Sequence, residues 1–201
     1  MTLIVNDTRY KIDFTFALTV TLMLLLCSEE TVIISLLSSA LHEIGHLIFM
    51  FIFNQKVISV TFGSFGVRIE RQLTQSLSYK KEAVIALGGI GVNFVIASLS
   101  AIHYLLYGSD FTFKLSAVNV IIALFNMIPI DTLDMGRVLR YTLLCYKDED
   151  KCQQIMNIIS LIFINLLAVG CIIYSLLFGL NPSLVTVTVY LYVITLFKKW
   201  S

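Results

Sequence analysis

The apolar residues of this chain fall into long blocks, and those blocks leave few folds open. They run over 14–27, 31–53, 83–107, 115–130, 155–180 and 184–197. A helix needs about 20 apolar residues to cross the hydrocarbon core of a bilayer. The second, third and fifth blocks exceed that length; the first, fourth and sixth reach it only with flanking residues or by unwinding at one end. Charged residues make up 13% of the chain, where a soluble domain carries about 25%. They cluster between the blocks, so no stretch the size of an ordinary soluble domain is left over. The expectation is an all-α polytopic membrane protein, a single intramembrane domain over residues 1–201.

Charge sets the orientation. Basic residues are present before the first block (Arg9, Lys11), absent from the Glu29-Glu30 turn, and frequent in 54–82 (Lys56, Arg68, Arg71, Lys80, Lys81). They thin to Lys114 in the next connection, return in 131–154 (Arg137, Arg140, Lys147, Lys151), vanish at 181–183 and reappear as Lys198 and Lys199. By the positive-inside rule this alternation predicts six transmembrane helices with both termini cytosolic. The net charge of +1 offers nothing to nucleic acid.

The longest connection has structure of its own. Residues 57–62 and 65–70 are β-rich and partly alternating, split by Gly63-Ser64. They predict a short β-hairpin between the second and third transmembrane helices. Residues 72–82 are polar and predict a surface segment leading into the third helix. The four cysteines show no CxxC spacing, hence neither a disulfide framework nor a thiolate zinc site. The polar lead before the first block, with no small-residue cleavage pattern after it, argues against a cleavable signal peptide.

Inside the second block lies His42-Glu43-Ile44-Gly45-His46, the HExxH pattern. Residues i and i+4 of a helix are about 40° apart in azimuth and about 6 Å apart along the axis. Both imidazoles therefore project from one face and can meet a single Zn2+. Glu43 projects beside that ion, where a general base for water belongs. A lone intramembrane histidine such as His103 more often satisfies a neighbouring helix, but three ionisable residues at set spacing in an apolar run need a stronger reason. On a helical wheel Thr31, Ser35, Ser38, Ser39, His42, Gly45 and His46 share one arc. That polar stripe suits either a water-admitting cavity or close packing of helices.

A catalytic zinc takes three protein ligands and keeps a position open. The third is expected at the end of the fourth block, in Asn126-Met-Ile-Pro129-Ile-Asp131-Thr-Leu-Asp134-Met-Gly136-Arg137. Pro129 interrupts the helical ladder and Gly136 permits a turn. The spacing alone leaves both Asp131 and Asp134 open.

These motifs together resemble the site-2 protease family of intramembrane zinc metalloproteases. HEIGH is similar to its HExGH motif, and NMIPIDTLDMGR to its NxxPxxxLDG motif. The resemblance implies His42, His46 and Asp134 as zinc ligands and Glu43 as the catalytic residue; Asn126 is a candidate substrate-binding residue or else holds helices together. Gly89-Ile90-Gly91-Val92-Asn93 is a looser match to GPxxN, with Ile90 in the proline's place, and implies Asn93 as a second substrate-binding residue. The motif order resembles the sporulation branch, which processes a membrane-tethered sigma-factor precursor, without that branch's frequent CBS domain. The implied setting is the bacterial cell membrane, and the implied partners are a membrane-tethered protein substrate, an inhibitory membrane protein and the lipid bilayer. Two other classes remain: a metal-binding pseudoprotease that holds partners, and a small transporter. Glu43 beside both histidines favours an enzyme, because binding alone does not require that carboxylate.

Overall fold

The computed structural model describes residues 2–5, 8–13, 16–18, 20, 21, 24, 29–63, 66–71 and 77–200. Among the described residues the main elements are six helices, of 11 to 30 residues, and a small sheet. The block at 14–27 falls largely outside the described residues. Helix α1 (Glu29–Ile52) carries the HExxH pattern. It stops where Asn54 adopts a positive φ of 54° and Gln55 N–H donates to Met50 O, a left-handed termination that asparagine tolerates. Four strands form one sheet in the order β1 (Thr2–Val5), β2 (Thr8–Ile12), β3 (Val57–Gly63), β4 (Gly66–Arg71). Antiparallel pairs join β1 to β2 and β3 to β4, while β2 and β3 run parallel. The expected hairpin is β3–β4, with Gly63 paired to Gly66. Its inner edge is covered by two N-terminal strands that the charge-rich lead of the sequence conceals.

Helix α2 (Tyr79–Tyr107) begins inside the segment expected to be surface chain, and residues 79–82 are its first turn. It ends on Gly108 at φ 67°, whose N–H returns to Tyr104 O. Helix α3 (Asp110–Asn126) stops three residues before Pro129, which has no N–H to continue the ladder. Residues 127–133 are irregular, and α4 (Asp134–Leu144) starts on the aspartate itself. Helix α5 (Glu149–Phe178) follows, with Glu149 and Asp150 favourably placed at the positive end of its dipole. Helix α6 (Pro182–Trp200) opens with proline in its first turn and Asn181 Oδ1 accepting from Leu184 N–H, an N-cap.

Helices α1, α2 and α5 are long and apolar enough to cross a membrane; α3 has 17 residues, and the apolar part of α6 covers Leu184–Thr195. Outward-facing side chains such as Leu105, Leu166, Leu176 and Leu177 are exposed. A surface of this kind suits lipid. Helices α1, α2 and α3 pack on one another, and α4 lies against α2. Glu30 near the start of α1 pairs with Lys114 near the start of α3, and further along both helices Asn119 of α3 donates to Ser38 of α1, so α1 and α3 run parallel. The irregular segment after α3 is anchored on the far side, where Ile130 and Leu133 pack against Ile164 of α5 and Leu191 of α6.

Candidate metal centre

Helix α1 presents His42 and His46 one turn apart, their rings nearly perpendicular with centroids 4.9 Å apart. Both are buried. His46 Nδ1 lies 2.8 Å from the Ile85 backbone oxygen of α2, and His42 Nδ1 lies 2.9 Å from Asn93 Oδ1 of the same helix. An imidazole whose Nδ1–H is given to an oxygen turns a bare Nε2 to the opposite side. The two Nε2 atoms accordingly face each other at 3.2 Å.

Asp134 completes the group. Its Oδ2 lies 2.8 Å from His42 Nε2 and 3.3 Å from His46 Nε2. It is nevertheless a buried oxygen with no hydrogen-bond donor. Three acceptor atoms thus converge. For a tetrahedral ion with bonds of about 2.0–2.1 Å, ligand atoms sit about 3.3 Å apart. The observed triangle of 2.8, 3.2 and 3.3 Å fits such an ion, and the donor set of two imidazoles and a carboxylate is one that zinc accepts. His42, His46 and Asp134 would hold the metal.

Local structure explains why these atoms meet. Gly89 faces the imidazoles: a Cβ there would lie 2.6 Å from His46 Nε2 and 2.7 Å from His42 Nε2. Gly136 was expected to permit a turn, but it lies within α4. A Cβ on it would meet Ile130 O at 1.9 Å, so glycine is required for the first turn of α4 to fold back against the irregular segment. Asp131 faces away from the histidines into a separate clamp. Arg140 Nε donates to its Oδ1 at 2.6 Å and Arg140 Nη2 to its Oδ2, while the Asp131 N–H donates to Ser160 Oγ of α5 at 3.1 Å. The Asp131 carboxylate, hydrogen-bonded to the guanidinium, raises the Arg140 pKa above its ordinary value.

Glu43 is half-buried and within electrostatic range of both histidines, Asp134 and Arg137. Arg137 Nη1 lies 4.0 Å from Asp134 Oδ1, and its side chain is half exposed. Of the two expected substrate contacts, Asn93 is fully buried behind His42. Asn126 is half-buried at the end of α3, its Nδ2 donating to Ile122 O. The polar stripe on α1 serves at least partly for packing, because Ser38 is fully buried and accepts from Asn119 Nδ2 of α3 at 2.9 Å. Sequence reasoning passed over Asn119. Its signal was present: an amide in the middle of an apolar block that otherwise runs from 115 to 125 with only Ser116 as a polar neighbour.

No family model matches the chain, and no curated protein matches it. Among solved structures it is similar to the site-2 protease from Methanocaldococcus jannaschii, with 22% sequence identity and a TM-score of 0.71 over 97% of this chain and 93% of that one. The likeness is one of fold.

Proposed function

We propose that this chain is an intramembrane zinc metalloprotease that hydrolyses a peptide bond in a membrane-embedded or membrane-tethered regulatory protein. The observation that carries the reading is the triangle of His42 Nε2, His46 Nε2 and Asp134 Oδ2 with Glu43 beside it. The fold shared with a site-2 protease and the lipid-suited outer surface support it. Bound zinc supplies Lewis-acid activation of the scissile carbonyl and of water. Glu43 takes the proton from the attacking water and delivers it to the leaving nitrogen. Arg137, its Nη1 4.0 Å from Asp134 Oδ1, adds positive charge beside the metal position.

A helical substrate must unwind before its carbonyl is accessible. With β2 on one side of β3 and β4 on the other, β4 is an outer strand of the sheet among the described residues, and an unwound segment can add to it as a strand. Asn126 stands as a further substrate contact. The motif order favours a sigma-factor precursor processed during sporulation in a bacterial cell membrane, and the alternation of basic residues favours six crossings with cytosolic termini.

The test is cleavage of a tethered substrate by the purified chain in proteoliposomes. Wild type cleaves, a chelator stops it and zinc restores it. Glu43→Gln lowers the rate by about 10²–10⁴-fold while zinc remains bound at one per chain. Full cleavage by that variant overturns the role of Glu43. Cleavage indifferent to chelation overturns the whole reading.

A further inference from the structure

We propose that Asn119 of α3 is a positioning residue for the metal centre: acting through Asn93, it fixes the proton on His42 Nδ1 and so keeps Nε2 bare for metal. The inference rests on the metal-binding part of the proposed function and is independent of what the substrate is.

The bonds start from a backbone oxygen, which can only accept. Asn119 Nδ2 donates to Leu115 O at 2.8 Å and to Ser38 Oγ at 2.9 Å. Both amide hydrogens are then in use, and Oδ1 is the end left to face Asn93. Asn93 Nδ2 donates to that oxygen at 3.1 Å. Its amide orientation is thereby set, and its Oδ1 is what His42 Nδ1 meets at 2.9 Å. An oxygen acceptor calls for a hydrogen on Nδ1. A neutral imidazole has only one such hydrogen, so Nε2 is left with its lone pair, directed at the other ligands.

The sequence of bonds has one direction, from Leu115 O to Asn119, Asn93, His42 and the metal position. Reversing any amide would set donor against donor or oxygen against oxygen. Ser38, Asn93 and Asn119 are each fully buried, so no solvent relieves such a mismatch. His46 reaches the same tautomer by a single step, because Ile85 O is itself an obligate acceptor beside its Nδ1. His42 lies against a side chain instead, and an amide can turn over. The second amide is what prevents that. An asparagine held in the middle of an apolar helix thus has a reason to be there. Asn93, fully buried with Oδ1 toward His42 and Nδ2 toward Asn119, acts on the histidine from inside the bundle.

The test uses the full chain in bilayers, with two readouts that do not involve proteolysis: zinc affinity, and the imidazole ¹⁵N signals of the metal-free protein at about pH 8, where free imidazole is neutral. The wild type should show His42 protonated at Nδ1. Asn119→Leu should populate the Nε2–H form of His42, leave His46 unchanged and weaken zinc binding about 10–100-fold. A wild-type His42 carrying its proton on Nε2 overturns the inference whether or not the variant folds. So does an Asn119→Leu protein with unaltered signals and affinity. Failure of proteolysis with these readouts as expected would count against the peptidase reading alone.

Discussion

Gly45 of α1 and Gly88 of α2 meet backbone to backbone. A Cβ on Gly45 would lie 2.4 Å from Gly88 O, and one on Gly88 would lie 2.5 Å from Gly45 O. This crossing lies between the two histidines in sequence, and it brings Ile85 and Gly89 of α2 into contact with the imidazoles. Because the obstructing atoms are backbone, neither helix can yield without moving the other. Gly45→Ala should therefore destabilise the fold by about 1–3 kcal/mol and lower zinc occupancy with it. Among the described residues no other part of the fold lies within 4 Å of a Cβ on Gly91, so Gly91→Ala should leave both unchanged. Thermal unfolding in detergent, with metal content measured on the same samples, separates the two variants.

Gly89 makes a different prediction, because what a Cβ would strike there is side chain. The rings it would strike are held from behind by Asn93 and by the Ile85 carbonyl, so they cannot simply rotate away. Gly89→Ala should displace the Nε2 atoms and weaken zinc binding by at least about tenfold, with helical content retained. Titration with a competing chelator alongside circular dichroism checks both halves.

The two aspartates of the irregular segment have separable duties. Asp134→Asn should abolish stoichiometric zinc, since the buried Oδ2 near both Nε2 atoms is the third acceptor. Asp131→Asn should keep zinc at saturating metal and instead lose about 1.5–3 kcal/mol of stability, because Arg140 forfeits a paired carboxylate in a partly buried clamp. Metal analysis and unfolding of the two variants should give opposite patterns. The same pattern in both would unseat the assignment.

That distinction marks where sequence reasoning runs out. Helical spacing suffices to place His42 and His46 on one face, and the run 57–70 suffices for β3 and β4, because both depend on local periodicity. Which aspartate turns inward depends on Arg140 and Ser160, nine and 29 residues further along, and no local pattern carries that. The strand pair β1–β2 escaped for a related reason. Arg9 and Lys11 were legible as charge for membrane orientation, while the strand around them becomes recognisable only when β3 pairs alongside, Arg9 to Ser59 and Lys11 to Thr61. Gly136 looked like a turn residue; its need is steric and comes from Ile130 O across the fold.

The sheet yields the last prediction. Arg71, at the end of β4, donates through Nη2 to both carboxylate oxygens of Glu82 at 2.9 Å, and three residues on in α2 the Ile85 carbonyl holds His46. A short path therefore links β4 to a metal ligand. Among the described residues the other outer strand is β1, three strand spacings away, about 14 Å. If substrate is unwound onto this sheet, it should join β4 and not β1. In the Glu43→Gln background, a photoreactive amino acid at position 70 should give a cross-linked adduct with a tethered substrate, and one at position 4 should give none. Adducts at position 4 but not at 70 would move the docking edge to the opposite side of the sheet. Adducts at neither would leave the hairpin as an interfacial turn that serves only to hold α1 and α2 in place.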